Sequence, residues 1–318
     1  MSAMIDTPLD VACQLGIVGP GLDVALLEHA LPRLAEAGFR RVVLPRIAPD
    51  APVDVARIRG LLADSGLAPI GMAGQTPDAD VGSADADVHA RGLALLRHAL
   101  ETTVGLGGDQ LNGVPYGPYG KAAQPPAPGA FERAASAAGL IADEARERGI
   151  TMTFEVLNRY ETAMVNTAAQ AVDFVAASGS SHLRIHLDAF HMSIEEPGIR
   201  AAVRTALPHL AYVELGQSGR GALGEGVIDM EATIAAVLDE GYDGRWGIEA
   251  FTRTLLPAPV ADRLAIWREP YTDGLALAVD AQRVIRNGWA HSSAGRKALR
   301  EQRAAEARQG AAAARPVR

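Results

Sequence analysis

A chain of 318 residues, 48% hydrophobic and 21% charged, is long enough for one large domain or two ordinary ones and has an ordinary soluble globular composition. A formal charge of −8 argues against phosphate-backbone binding by the body of the molecule, so no nucleic-acid partner is expected. The single cysteine, Cys13, excludes an intrachain disulfide and a cysteine-based zinc site.

The opening MSAMIDTPLDVACQLG lacks a basic stretch followed by an apolar core, so no signal peptide is expected. No apolar run approaches the roughly 18 residues of a membrane span. A cytoplasmic protein without a membrane partner is the expectation. GIVG near residue 17 reads as a first strand, and residues 23–37 have helical spacing that stops at Gly38. RRVVL, residues 40–44, is the second strand. A helix near 52–65 ends at Gly66, and LAPIGMAG is the third strand. A long amphipathic helix over 85–104 precedes DQLNGV, the fourth, and then the Pro/Gly-rich loop PYGPYGKAAQPPAPG. Helix 129–148 leads into a fifth strand at TMTFEV. Helix 167–178, opened by the capping pair Asn166-Thr167, precedes LRIHLDAF. A short helix near 198–206 precedes LAYVELG, and helix 228–240 precedes GRWGIEAF. A last helix near 272–287 closes the series.

About eight strands alternate with helices at roughly 35 residues per unit, the spacing of a (β/α)8 barrel. A doubly wound sheet is the competitor, but GIVGPG has its glycines at the wrong spacing for a dinucleotide turn, and no Walker-type loop occurs. The barrel domain is assigned to residues 1–289. Residues 290–318 form an Ala-rich tail with seven basic residues against Glu301 and Glu306, expected to be partly helical or disordered.

Strands five to eight each carry one carboxylate near the C-terminal end: Glu155, Asp188, Glu214 and Glu249, spaced 26 to 35 residues apart. In a barrel these converge at the face where such folds keep their active sites. Four inward carboxylates do not all stay ionised without a cation, and oxygen ligands suit Mg²⁺ or Mn²⁺, with Co²⁺ a further candidate. His186 shares the strand face of Asp188 two residues deeper, and is expected to be a satisfied core histidine. The run GRGALGEG, 219–226, reads as a flexible active-site loop rather than a phosphate cradle. The three tryptophans, Trp246, Trp267 and Trp289, are expected to pack rather than to serve as stacking platforms.

At FEVLNRYE, NTA, HLDAFHMSIEE, LGQSGRGALGEGVID, GYDGRWGIEAF and AIWREPYTDGLALA, the sequence resembles the ketose 3-epimerases, the D-tagatose/D-psicose 3-epimerase family of xylose-isomerase-like TIM barrels. The resemblance covers roughly residues 108–288. It implies that Glu155 and Glu249 are the acid/base pair and metal ligands, with Asp188 a third ligand. It implies that Glu161, His191 and Arg220 bind substrate, and that the loop of Tyr116 and Tyr119 walls the sugar site. Family members read HxHxGExNR on strand seven. Here the segment is YVELGQSGR, so Glu214 takes the place of a metal-binding histidine, Tyr212 that of the other, and Gln217 that of an acid. The implied activity is divalent-metal-dependent 3-epimerisation of an unphosphorylated ketose through an enediolate. The alternatives are an aldose–ketose isomerase, a lyase acting on an oxidised sugar, or a metal-free barrel that only binds a ligand. A homodimer or homotetramer is expected.

Overall fold

A computed structural model describes residues 7–313. Its strands are β1 (Val11–Gln14), β2 (Arg41–Val43), β3 (Ala68–Gln75), β4 (Gln110–Pro118), β5 (Thr151–Val156), β6 (Arg184–Asp188), β7 (Leu210–Gly216) and β8 (Arg245–Glu249). Each pairs in parallel with the next, and β8 closes on β1 with Ile248 opposite Cys13. The expected (β/α)8 barrel is therefore the observed fold.

The helices are α1 (Val24–Glu36), α2 (Val55–Ser65), α3 (Ala86–Leu106), α4 (Ala130–Glu147), α5 (Ala168–Ser178), α6 (Ala189–Glu195), α7 (Ile199–Ala206), α8 (Met230–Asp239), α9 (Ala258–Arg263), α10 (Gly274–His291) and α11 (Ser293–Ala313). Side-chain oxygens cap many of their N-termini. Thr167 opens α5 in a capping box with Gln170, and Asp23, Asp54, Asp85, Asp229 and Asp273 accept from first-turn amides. Gly66, Gly107 and Gly179 close α2, α3 and α5 in the left-handed conformation.

Three readings shift. The first strand is VACQ, not GIVG; Leu15–Ile17 is a 3-10 turn with Leu15 and Ile17 buried. β4 runs on through PYGP, which the Pro/Gly content had marked as loop. AF, read as the end of strand six, instead starts α6, because Asp188 accepts from the Phe190 amide and caps the helix.

One side of each strand packs on the helices, with Ile185, Leu187, Val213, Leu215, Trp246 and Ile248 in the main core. The other side fills the barrel, where Ala12, Val43, Ile70 and Tyr212 form a separate apolar layer. The N-terminal end is closed by charge. Arg41 bonds Asp10 at 2.8 Å and Asp109 at 2.6 Å, and Arg245 bonds Asp109 at 2.6 Å. With that end sealed, the opposite end is free for chemistry.

Helix α10 continues through His291, past residue 289, and α11 then packs on α8 and α10. Ser292 is fully buried, and a Cβ on Gly295 would meet the Trp289 carbonyl at 1.9 Å. Deleting residues 299–318 should therefore leave the melting temperature nearly unchanged. Deleting from 290 should lower it by several degrees by stripping cover from Trp289. Calorimetry on the two truncations checks this.

Candidate active site

Period-2 alternation turns the same face of β5 to β8 into the barrel. Pairing sets Glu155 beside His186, Asp188 beside Glu214, and Gly216 beside Glu249. Glu155, Asp188, Glu214 and Glu249 are each no more than 6% exposed. Their oxygens gather in overlapping groups. Asp188, Glu214 and Glu249 offer atoms within 4.8 Å of one another; so do Glu155, Asp188 and His191, and so do Glu155, His186 and Glu214.

Burial and mutual repulsion divide these acids. Burial pushes Glu249 well above the usual carboxylate range; Arg220 opposes this, while Glu214, Glu155 and Asp188 add to it. Burial likewise raises Glu214, helped by Glu155 and Asp188. Burial would raise Glu155 too, but charge interactions with His186, His191 and Arg220 and the His191 hydrogen bond outweigh it, and it falls to about 2. Adjacent carboxyls are thus pushed in opposite directions from the ordinary carboxylate range, the condition for an acid and a base in one site.

Asp188 is held by backbone. It accepts from the Phe190 amide at 2.9 Å and the Gly216 amide at 3.0 Å. A Cβ on Gly216 would come within 2.9 Å of both Asp188 oxygens and Arg220 Nη1. Gly216→Ala should therefore cost about 1–3 kcal/mol of stability through overpacking, read as a lower urea midpoint.

Arg220 spans the cluster, 3.3 Å from Asp188 and 2.6 Å from Glu249. Its guanidinium lies between the rings of Phe190 and Phe251, at 4.1 and 4.7 Å from their centroids. Its backbone is left-handed at φ 57, a strain of about 1–3 kcal/mol retained where function is concentrated. Two hydrogen bonds hold that strain: the Arg220 amide to Gln217 O and the Phe251 amide to Arg220 O, both 2.7 Å.

His191, from α6, has a defined tautomer. The Asn158 amide N–H donates to its Nδ1 at 3.1 Å, so in the neutral ring the proton sits on Nε2. That nitrogen faces Glu155 at 3.3 Å and Asp188 at 3.7 Å. Glu161 accepts from Tyr119 at 2.6 Å and from Asn158 at 3.0 Å. Tyr116 does not wall the site: it is fully buried and donates to the Glu155 carbonyl at 2.7 Å, bracing β5.

Two residues absent from the sequence reading complete the arrangement. Gln14, at the end of β1, donates to Glu249. Asn158 orients both His191 and Glu161. Gln217 has a structural reason. Its amide donates to Leu223 O and Ile228 O and accepts from the Ser218 and Ile228 amides, pinning the glycine-rich loop. A carboxylate has no protons for the two carbonyls. His186 is not the satisfied core histidine expected; neither ring nitrogen has a hydrogen-bond partner. Trp246 and Trp289 are buried as expected, whereas Trp267 is 65% exposed beneath Arg253.

Above the cluster lies a cavity of about 270 Å³. Glu155, Glu249, His191, Arg220, Glu161 and Tyr119 supply part of its polar surface, and Leu44, Val114, Phe251 and Leu256 part of its apolar wall. Among the described residues no helix is long and apolar enough to cross a membrane.

Residues 31–276 match the family described as the xylose isomerase-like TIM barrel. An L-ribulose 3-epimerase of Mesorhizobium japonicum is 35% identical over 259 residues, 81% of this chain and 87% of that protein. A solved L-ribulose 3-epimerase structure superposes with a TM-score of 0.85 at 33% identity, covering 92% of this chain and 97% of its own. The Methylomonas D-allulose 3-epimerase in complex with D-allulose gives 0.83 at 30% identity, covering 87% and 96%. With its closed barrel and this degree of likeness, the chain belongs to the xylose isomerase-like TIM barrels and, within them, to the ketose 3-epimerases, which are enzymes of the isomerase class.

Proposed function

We propose that this enzyme inverts carbon 3 of an unphosphorylated ketose, with Glu155 and Glu249 as the two proton carriers and Mn²⁺ or Mg²⁺ as cofactor. The carrying observation is that these two carboxyls enter one cavity from strands three places apart, β5 and β8, with opposite protonation tendencies. The acids fit a divalent ion. Two oxygens across an octahedral Mg²⁺ stand about 4.2 Å apart, and the Asp188, Glu214 and Glu249 oxygens lie within 4.8 Å of one another, so a small approach brings them onto one ion. A bound cation would polarise the ketose carbonyl.

Glu155, ionised at neutral pH, takes the proton from the reacting carbon. Glu249, whose carboxyl holds a proton more tightly than an ordinary glutamate, returns one from the other side. His191 Nε2–H donates to a substrate oxygen, and Arg220 holds the negative charge that develops. Glu161, fixed by Tyr119 and Asn158, accepts from a substrate hydroxyl. The amides of Ser218, Val227 and Ile228 are engaged within the loop, which supports a substrate without phosphate there. The relatives named for L-ribulose and D-allulose support a pentulose or hexulose.

The test is incubation of a ketose panel with the Mn²⁺-treated enzyme in deuterated water. The expected result is deuterium at carbon 3 of both epimers. Label at carbon 1 of the ketose with an aldose product labelled at carbon 2 would favour the isomerase reading, and no label from any ketose would refute both.

A further inference from the structure

We propose that His186 is a ligand of the bound cation, completing a nitrogen-containing set with Glu155 and Glu214. The inference rests on the metal-dependent reading above, and concerns which atoms hold the ion.

His186 is 1% exposed and points into the acid cluster, with Nε2 3.2 Å from Glu214 Oε2. Despite that approach the contact is not aligned as a hydrogen bond, and both ring nitrogens are without a partner. An orphaned buried ring nitrogen is costly, of the order of 1–3 kcal/mol, and coordination through Nε2 relieves it at the nitrogen that faces the acids. Tyr212 packs edge-on against the ring at 4.7 Å and holds it there. Gly247 makes room for that tyrosine, since a Cβ would meet its hydroxyl at 2.0 Å.

The other imidazole in reach is unsuited to ligation. His191 Nδ1 is occupied by the Asn158 amide N–H, so Nε2 carries a proton and presents a donor rather than a lone pair to the acids. The two histidines thus divide the work: His191 donates, and His186 coordinates. A nitrogen ligand also moves cation preference from Mg²⁺ toward Mn²⁺ and Co²⁺. The imidazole is supplied by β6, while β7 contributes Glu214 at the neighbouring position.

The experiment loads chelator-treated full-length protein with MnCl₂ alone and reads affinity by titration and directly bound ¹⁴N by pulsed paramagnetic resonance. The native protein and His191→Gln should both show a bound nitrogen. His186→Gln should lose that signal, bind Mn²⁺ at least about tenfold more weakly, and lose its preference for Mn²⁺ over Mg²⁺. If His186→Gln does not fold, the other two proteins decide: loss of the nitrogen signal in His191→Gln overturns the proposal. Tight Mn²⁺ binding by the native protein with no nitrogen signal overturns it too, while leaving the epimerase reading intact. No Mn²⁺ binding at all overturns both.

Discussion

Glu155→Gln and Glu249→Gln should each abolish interconversion of the two epimers, with kcat falling by about 10²–10⁴-fold or more. Inversion needs a proton carrier on each face of the reacting carbon. Removing either leaves a face with no way to gain or lose a proton. Wash-out of the carbon-bound hydrogen into solvent is more discriminating than turnover. In each variant it should persist only for the epimer whose hydrogen faces the remaining carboxylate, and that epimer should differ between the two variants. Both amides keep the volume and an oxygen acceptor, so the His191–Glu155 and Gln14–Glu249 contacts have conservative replacements. Proton NMR in deuterated water, run from each epimer separately, reads the pattern. Wash-out of the same epimer in both variants would mean that one acid serves both faces.

Much of this arrangement was visible in the residue order, and what was hidden has a common cause. The barrel is a repeat, so each βα unit repeats its own signal. Acids at strand ends one unit apart must converge once the sheet closes, which is why Glu155, Asp188, Glu214 and Glu249 stood out. Gln14 carried no such mark. It is a lone amide after a four-residue strand, and its partner Glu249 lies 235 positions away, a contact created only by barrel closure. Asn158 lay within a quoted motif, but its hold on His191 depends on how α6 packs over β5. The loop residue Gln217 read as a lost acid. Its meaning appears only when the carbonyls of Leu223 and Ile228 come within reach. α9 was missed because LLPAPVADR, rich in proline, gives weak helical periodicity; Pro257 sits at its N-terminus, where a missing amide costs nothing.

Metal-stripped enzyme should be most stable in mildly acidic solution and should weaken as pH rises above that range. Glu214 and Glu249 are raised above their ordinary 4.5, through burial first and neighbouring acids second. Above pH 4.5 the unfolded chain releases these protons while the native state keeps them, so stability falls with pH. His191 acts in the same direction. Burial lowers it, but Glu155 and Asp188 prevail and raise it above 6.5, so its contribution is full below pH 6.5 and is lost above. Glu155, depressed to about 2, works oppositely but only between about 2 and 4.5, leaving the neutral range to the other three. Each group titrating this way removes about 1.4 kcal/mol per pH unit. Saturating Mn²⁺ should reverse the trend, because coordination requires deprotonated carboxylates and the ion stabilises by binding the native state. Melting curves with chelator and with Mn²⁺, at half-unit steps above pH 4.5, make the comparison. A chelated protein whose melting temperature rises or stays level across that range would show that Glu214 and Glu249 do not hold their protons.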